Sequence, residues 1–274
     1  MGSYSEGISK RIGQVKIQEG HCLICGFFKK LTEDHVPPRG SVIITKTEQR
    51  LICEVLGTSS EKIKGIVSKN GSKFKTICKD CNSSLSLGDS EIARVCRELT
   101  PMIKNYFQSG TDLFSTKYIK FDAVKYIRGM IGHILSATSV NECKSRPIAT
   151  DYFTPLQNFV LGDDEAISNT HDIYYWFYPL KKHVSAKLVV FFNNGNICRM
   201  SLLSFFPIAF LLVEKGKGIF PAQAKELKIS STDLAIDLSQ RNISYSSFPF
   251  AELKGNQFYL AEDAQCIVSY PIGQ

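Results

Sequence analysis

The chain has 274 residues, 43% hydrophobic and 22% charged, with a formal net charge of +7. That composition excludes a disordered or collagen-like chain, and the length allows a sizeable core without disulfides. No apolar run approaches the roughly 18 residues expected of a membrane-spanning helix.

Residues 1–20 are polar and mixed, and read as a loose arm or short helix. The first seven residues carry no apolar signal region, and Glu6 makes Gly2 a poor myristoylation site, so a cytoplasmic location is expected. The nine cysteines are an odd number, and four of them form close pairs, Cys22-Leu23-Ile24-Cys25 and Cys78-Lys79-Asp80-Cys81. In a reducing compartment that pattern favours metal binding over disulfides. The basic excess is confined to the same region. Residues 1–120 hold 19 Lys and Arg against 12 Asp and Glu, whereas residues 121–274 balance at 14 and 14. A basic excess here suits a polyanion such as DNA or RNA, although a basic surface kept for solubility gives the same count.

Between the cysteine pairs, residues 42–70 form an insertion. It has a weak helical pattern at Leu51, Val55, Leu56 and Ile63 and a turn signal at Asn70-Gly71. From Ser90, Ile92, Val95, Cys96, Leu99 and Ile103 predict an amphipathic helix that Pro101 bends or splits. A second helix is predicted from an Asp122 N-cap, with Val124, Ile127, Ile131, Ile134 and Leu135 on one face. Gly129 and Gly132 mark a place where another element packs closely. After residue 150 the chain reads as strands, at 173–178, 186–192, 197–206 and 208–214, with a hairpin turn at 193–196. The consecutive aromatics Tyr174, Tyr175, Trp176 and Phe177 read as a two-sided core strand. The expected fold class is therefore α+β. A zinc-stapled module over residues 1–110 precedes an α+β domain over residues 111–274 for regulation, assembly or substrate positioning.

A CxxC pair presents two thiolates on one tight turn, and two pairs complete a tetrahedral zinc shell of Cys22, Cys25, Cys78 and Cys81. The 52 residues between the pairs add little cost, because loop closure grows slowly with length. Four free buried thiols or a redox pair are the alternatives. The small, poorly apolar segment disfavours the first, and the lack of a strand-to-helix pattern disfavours the second. His21 could replace a ligand, but the set is complete without it. Cys53, Cys96, Cys143, Cys198 and Cys266 are assigned to packing.

The second constellation lies inside this frame. Asp34 and His35 are adjacent, so in an extended segment they face opposite ways, and one can hold a metal while the other faces a water. Pro37-Pro38 keeps the following chain out of a helix. Asn82 follows the last cysteine at a helix start. A carboxylate and an amide oxygen suit a hard ion such as Mg²⁺, and a neutral imidazole can deprotonate the attacking water. Singly, Asp34-His35 could be an exposed loop dipeptide and Asn82 a helix cap. His133 and His183 are read as ordinary structural or surface residues, and Asp163-Asp164-Glu165 as a solvated loop.

The order CxxC, Asp34-His35-Val36-Pro37-Pro38, Cys78-Lys79-Asp80-Cys81-Asn82 resembles the HNH endonuclease family, with Ser86, Asp89 and Glu91 matching a bacterial subgroup found among phage-defence and mobile-element genes. The match covers residues 20–95. The resemblance implies a ββα-metal, treble-clef fold with a structural Zn²⁺ on the four cysteines. It implies His35 as general base, with Asp34 and Asn82 as ligands of a catalytic Mg²⁺ or Mn²⁺ and Asp89 as a further ligand or orienting group. Arg39, Lys73, Lys75 and Lys79 would contact phosphates. The chain departs from the family in two places. The central Asn before the second cysteine pair is replaced by Lys73-Phe74-Lys75, the nearest Asn being Asn70, and Ser83-Ser84-Leu85 stands where a basic residue often follows the terminal Asn. The expected function is endonucleolytic cleavage of DNA, alone, as a homo-oligomer or with a regulatory protein. The alternative is a zinc-stabilised nucleic-acid-binding adaptor with a decayed site.

Overall fold

The computed structural model describes residues 17–51, 65–110, 112–193, 196–217, 223–239, 258–260 and 266–272, with 221 and 246. Three short strands open it. β1 (Glu19–His21) and β2 (Phe28–His35) form a hairpin around the first cysteine pair, and β5 (Lys73–Cys78) adds to the far side of β2. The insertion between β2 and β5 contributes β3 (Thr47–Leu51) and β4 (Ile66–Ser68). These strands leave the small sheet: β3 pairs with β14 (Cys266–Pro271) and β4 with β3, at one end of a nine-stranded antiparallel sheet. The helical pattern expected there is thus a strand at Leu51, and Val55, Leu56 and Ile63 lie outside the described residues. Most of the polar arm expected over 1–20 also lies outside them, and its end is β1.

Helix α1 (Lys79–Gln108) starts inside the second cysteine pair, eleven residues before the change of period at Ser90. It continues through Pro101, which costs one backbone donor but does not divide it. After β6 (Thr116–Lys120) comes helix α2 (Ala123–Ser136), capped by the Asp122 carboxylate accepting from the Lys125 N–H at 3.1 Å. A 3₁₀ turn (Val140–Lys144) and α3 (Phe153–Leu161) lead into β7 (His171–Phe177), β8 (His183–Asn193), β9 (Asn196–Phe205) and β10 (Ile208–Glu214). The Asn193–Asn196 pairing closes the expected hairpin. β11 (Lys225–Glu226) edges the large sheet, β12 (Asp233–Asp237) pairs with β6, and β13 (Phe258–Leu260) pairs with β8. β7 is two-sided as its aromatics indicate. Tyr175 enters the main core, and Trp176 enters a smaller cluster with Met200 and Leu211.

The chain is α+β with antiparallel sheets. Its main core runs without a break from Cys22 and Leu85 through Ile127 and Ile134 to Leu203 and Ile267. The boundary expected at residue 110 therefore does not separate two packing units among the described residues. The insertion strands join the C-terminal sheet, and α2 packs on α1. Three side-chain bonds add to this. Thr76 Oγ1 donates to the Ser136 carbonyl at 2.6 Å, Ser72 Oγ to Ser269 Oγ at 2.7 Å, and Gln157 Nε2 to the Leu23 carbonyl at 2.8 Å. No helix among the described residues is long and apolar enough to cross a membrane.

The α1–α2 crossing is set by glycine. A Cβ on Gly88 would lie 2.7 Å from the Gly129 Cα, and one on Gly129 would lie 2.8 Å from Ile92 Cδ1. A Cβ on Gly132 would overlap Leu85. Gly88→Ala gains about 1 kcal/mol of helix propensity, but it meets backbone that cannot rotate away. We expect net destabilisation of about 1–3 kcal/mol, read as a lower melting temperature. This crossing places the residues that follow the glycines, Asp89 and His133, against each other.

Candidate metal centre and catalytic cavity

The four paired cysteines converge. Their Sγ atoms all lie within 4.8 Å of one another, and Cys25 Sγ is 3.8 Å from Cys78 Sγ. Four sulfurs about 2.3 Å from a tetrahedral ion would be about 3.8 Å apart, so the cluster could hold a metal ion such as zinc. The first pair sits on a turn between β1 and β2. The Gly26 N–H donates to the Cys22 carbonyl at 2.8 Å, and Gly26 takes a φ of +72°, which a Cβ would disfavour. The second pair straddles the junction of β5 and α1, where the Cys78 N–H donates to Cys22 Sγ at 3.3 Å. His21 turns away and bonds the Gly26 carbonyl through Nδ1 at 3.0 Å.

Cys22, Cys25 and Cys81 influence one another's titration. A hydrogen bond from the Cys81 thiol is the main cause that lowers Cys22 to about 5, against its burial and with help from backbone N–H groups. Burial pushes Cys25 up to about 11, and the hydrogen bond to the Cys22 thiolate raises Cys81. The Cys22 thiolate is favoured and Cys25 and Cys81 are held protonated, an arrangement that a bound cation would reverse. Cys96, Cys143 and Cys198 are buried elsewhere, as packing residues would be. Cys53 and the Cys266 side chain fall outside the described residues.

A cavity of about 350 Å³ lies beside this cluster, lined by Glu33, Asp34, His35, Arg39, Lys73, Asn82 and Asp89. The ladder between β2 and β5 shifts register between Thr32 and Asp34. Thr32 faces Ile77, and Asp34 faces Phe74, so β5 carries an extra residue. Such a bulge re-aims side chains and frees backbone groups. Here the Glu33 carbonyl accepts from Asn82 Nδ2 at 3.0 Å, and Thr32 Oγ1 accepts from the same nitrogen at 3.0 Å. A carbonyl can only accept, which fixes the amide orientation and turns Asn82 Oδ1 away from β2.

Asp34 and His35 point in different directions, as an extended strand requires. Asp34 is only 4% exposed. Its Oδ2 accepts from Ser136 Oγ at 2.7 Å and lies 3.0 Å from His133 Nδ1. His35 is half-buried at the cavity wall. Its Nε2 accepts a long hydrogen bond of 3.4 Å from Arg39 Nε, and the ring also has a backbone hydrogen bond with Asn70. Burial lowers its pKa first, the Arg39 and Lys73 cations lower it further, and Asp34 opposes them. The ring is therefore neutral at pH 7.

His133, read from the sequence as an ordinary residue, is the main feature that sequence reasoning missed. It is fully buried on α2, with Nδ1 at Asp34 and Nε2 2.7 Å from Asp89 Oδ1. Burial is the largest influence and disfavours its charge, yet the two carboxylates together outweigh it and hold the pKa at about 10. Both ring nitrogens then donate. Only a contact spanning 99 residues reveals this, so no local pattern could have found it. Ser136 and Glu33 were missed for the same reason.

Of the four cations expected at phosphates, Arg39 and Lys73 line the cavity, with Lys73 paired to Glu33 at 2.9 Å. Lys75 bonds Gln18 at 3.0 Å and Lys79 is exposed at the start of α1; neither lines the cavity. Asp164, expected in a solvated loop, is paired with Arg128.

Comparison with protein-family models, with curated proteins and with solved structures found no match.

Proposed function

We propose that this chain is a zinc-stabilised, divalent-metal-dependent endonuclease acting on DNA. The observation that carries the reading is the polar cavity, beside the four-cysteine cluster, that collects Asp34, His35, Asn82 and Asp89. The order of hairpin, cysteine turn, returning strand and helix, with the second pair at the strand–helix junction, is similar to a treble clef. It supports the resemblance to HNH endonucleases on geometry as well as on motif. Asn82 bridges α1 to the Glu33 carbonyl and so braces the hairpin, a task that needs no separate central Asn here.

The cavity suits a hard cation. Among the described residues, hydrogen bonds take one oxygen of Asp34, one of Asp89 and only the nitrogen of Asn82. One oxygen of each remains, and oxygen donors with room for water match Mg²⁺ or Mn²⁺. When bound, such an ion would neutralise charge on the scissile phosphate and on the leaving oxygen. His35 is the base. Its Nε2 lone pair faces Arg39, and a DNA phosphate would draw that guanidinium away and leave the lone pair for a water. Lys73 and Arg39 hold the phosphate, and their charge at the cavity favours a polyanion.

Purified protein is expected to nick supercoiled plasmid with Mg²⁺ or Mn²⁺ and to stop on chelation. Salt-sensitive DNA binding with no cleavage under any divalent ion would instead identify an adaptor with a decayed site. The pH profile carries its own prediction. A base works when unprotonated, and His35 titrates lower than an ordinary imidazole, so kcat/KM should rise with pH along a limb whose midpoint lies below 6.5. Arg39→Met removes one of the depressing cations and should move that limb to higher pH.

A further inference from the structure

Asp34 ends β2, and Asp89 lies mid-way along α1. Neither strand nor helix fixes which oxygen of these carboxylates faces the cavity. The fixing group comes from a third element. His133 meets Oδ2 of Asp34 through one nitrogen and Oδ1 of Asp89 through the other, and Ser136, three residues on, donates to the same Asp34 oxygen. The ring cannot swing, because it is fully buried one residue beyond Gly132, where α2 closes on Leu85 of α1.

We infer that His133 is a positioning residue for the divalent-ion site: it holds the inner oxygen of Asp34 and of Asp89 so that their outer oxygens are presented together. This rests on the hydrolytic reading of the cavity. Groups that orient metal-binding carboxylates typically change metal affinity or activity by about 10–100-fold when removed. The alternative is that His133 merely fills the core between two carboxylates. The two roles predict different outcomes. Removing a residue that only packs the core leaves cation binding unchanged, whereas removing an orienting donor weakens it.

The test is Mn²⁺ binding by calorimetry on the full zinc-loaded chain, without DNA. His133→Asn keeps an N–H near the Nδ1 position, toward Asp34. His133→Gln keeps one near the Nε2 position, toward Asp89. Both should bind Mn²⁺ about 10–100-fold more weakly than wild type, with zinc content unchanged. Binding as tight as wild type, or tighter, overturns the inference. If neither variant folds, Ser136→Ala decides, because it removes a donor to Asp34 without changing charge. Several-fold weaker binding supports the inference, and unchanged binding overturns it. Wild type that binds no Mn²⁺, or binds it equally after Asp34→Asn, removes the hydrolytic reading itself. That outcome is distinct from a failure of His133 alone.

Discussion

DNA cleavage by His35→Ala protein should fall about 10²–10⁴-fold below wild type, the usual contribution of a positioned general base. The substitution is a clean one. His35 is half-buried at the cavity wall, its contact to Arg39 is long, and its ring is mainly uncharged at pH 7, so stability should change by no more than about 1 kcal/mol. Zinc content and melting temperature should therefore match wild type while cleavage is lost. Asp34→Ala is the misleading comparison. Asp34 is buried against the His133 imidazolium and the Ser136 hydroxyl, and breaking a buried ion pair typically costs about 3–5 kcal/mol. Its loss of activity would mix chemistry with unfolding. Undiminished cleavage by His35→Ala would take His35 out of the mechanism.

Cys78→Ser is expected to have the largest effect on stability. Structural zinc sites contribute apparent free energies of about 10–16 kcal/mol, against a total stability of about 5–15 kcal/mol for an ordinary domain. Weakening such a site removes an amount comparable with the whole. Cys78 is also the hinge between β5 and α1, and its N–H donates to Cys22 Sγ. The damage should spread, because β5 is tied to α2 through Thr76 and the first cysteine turn to α3 through Gln157. Circular dichroism should show loss of cooperative unfolding, and the same change should follow a strong chelator on wild type. Cys96→Ala is the control. That thiol is buried on the same helix with no part in the cluster, and its removal should cost about 1 kcal/mol.

The features legible in the sequence were those whose meaning is local. CxxC spacing marks a ligand pair whatever the rest of the chain does. The alternation of Asp34 and His35 follows from strand geometry, and the Asp122 cap and the 193–196 hairpin are short-range turn chemistry. Gly129 and Gly132 announced a close approach, and α1 supplied it. What stayed hidden depends on distant partners. β3 has no strand signal of its own strength, and it forms because β14, more than 200 residues later, offers it an edge. The division at residue 110 followed a change of pattern, but the core ignores that change. Lys73 and Lys75 lie two apart on β5 and so should share a face, yet Lys73 reaches Glu33 at the cavity and Lys75 reaches Gln18, across the bulged ladder. His133 looked like one polar residue on an apolar helix, and only the helix crossing shows that it joins two carboxylates.

The cavity rests on the claim that one metal ion ties the two cysteine pairs together. Elemental analysis of the purified full chain, combined with a thiol count under native conditions, tests this most directly. One zinc per chain is the expected result, with Cys22, Cys25, Cys78 and Cys81 protected from thiol reagents until a chelator is added. A cooperatively folded chain that carries no bound metal and leaves those four thiols reactive would contradict it.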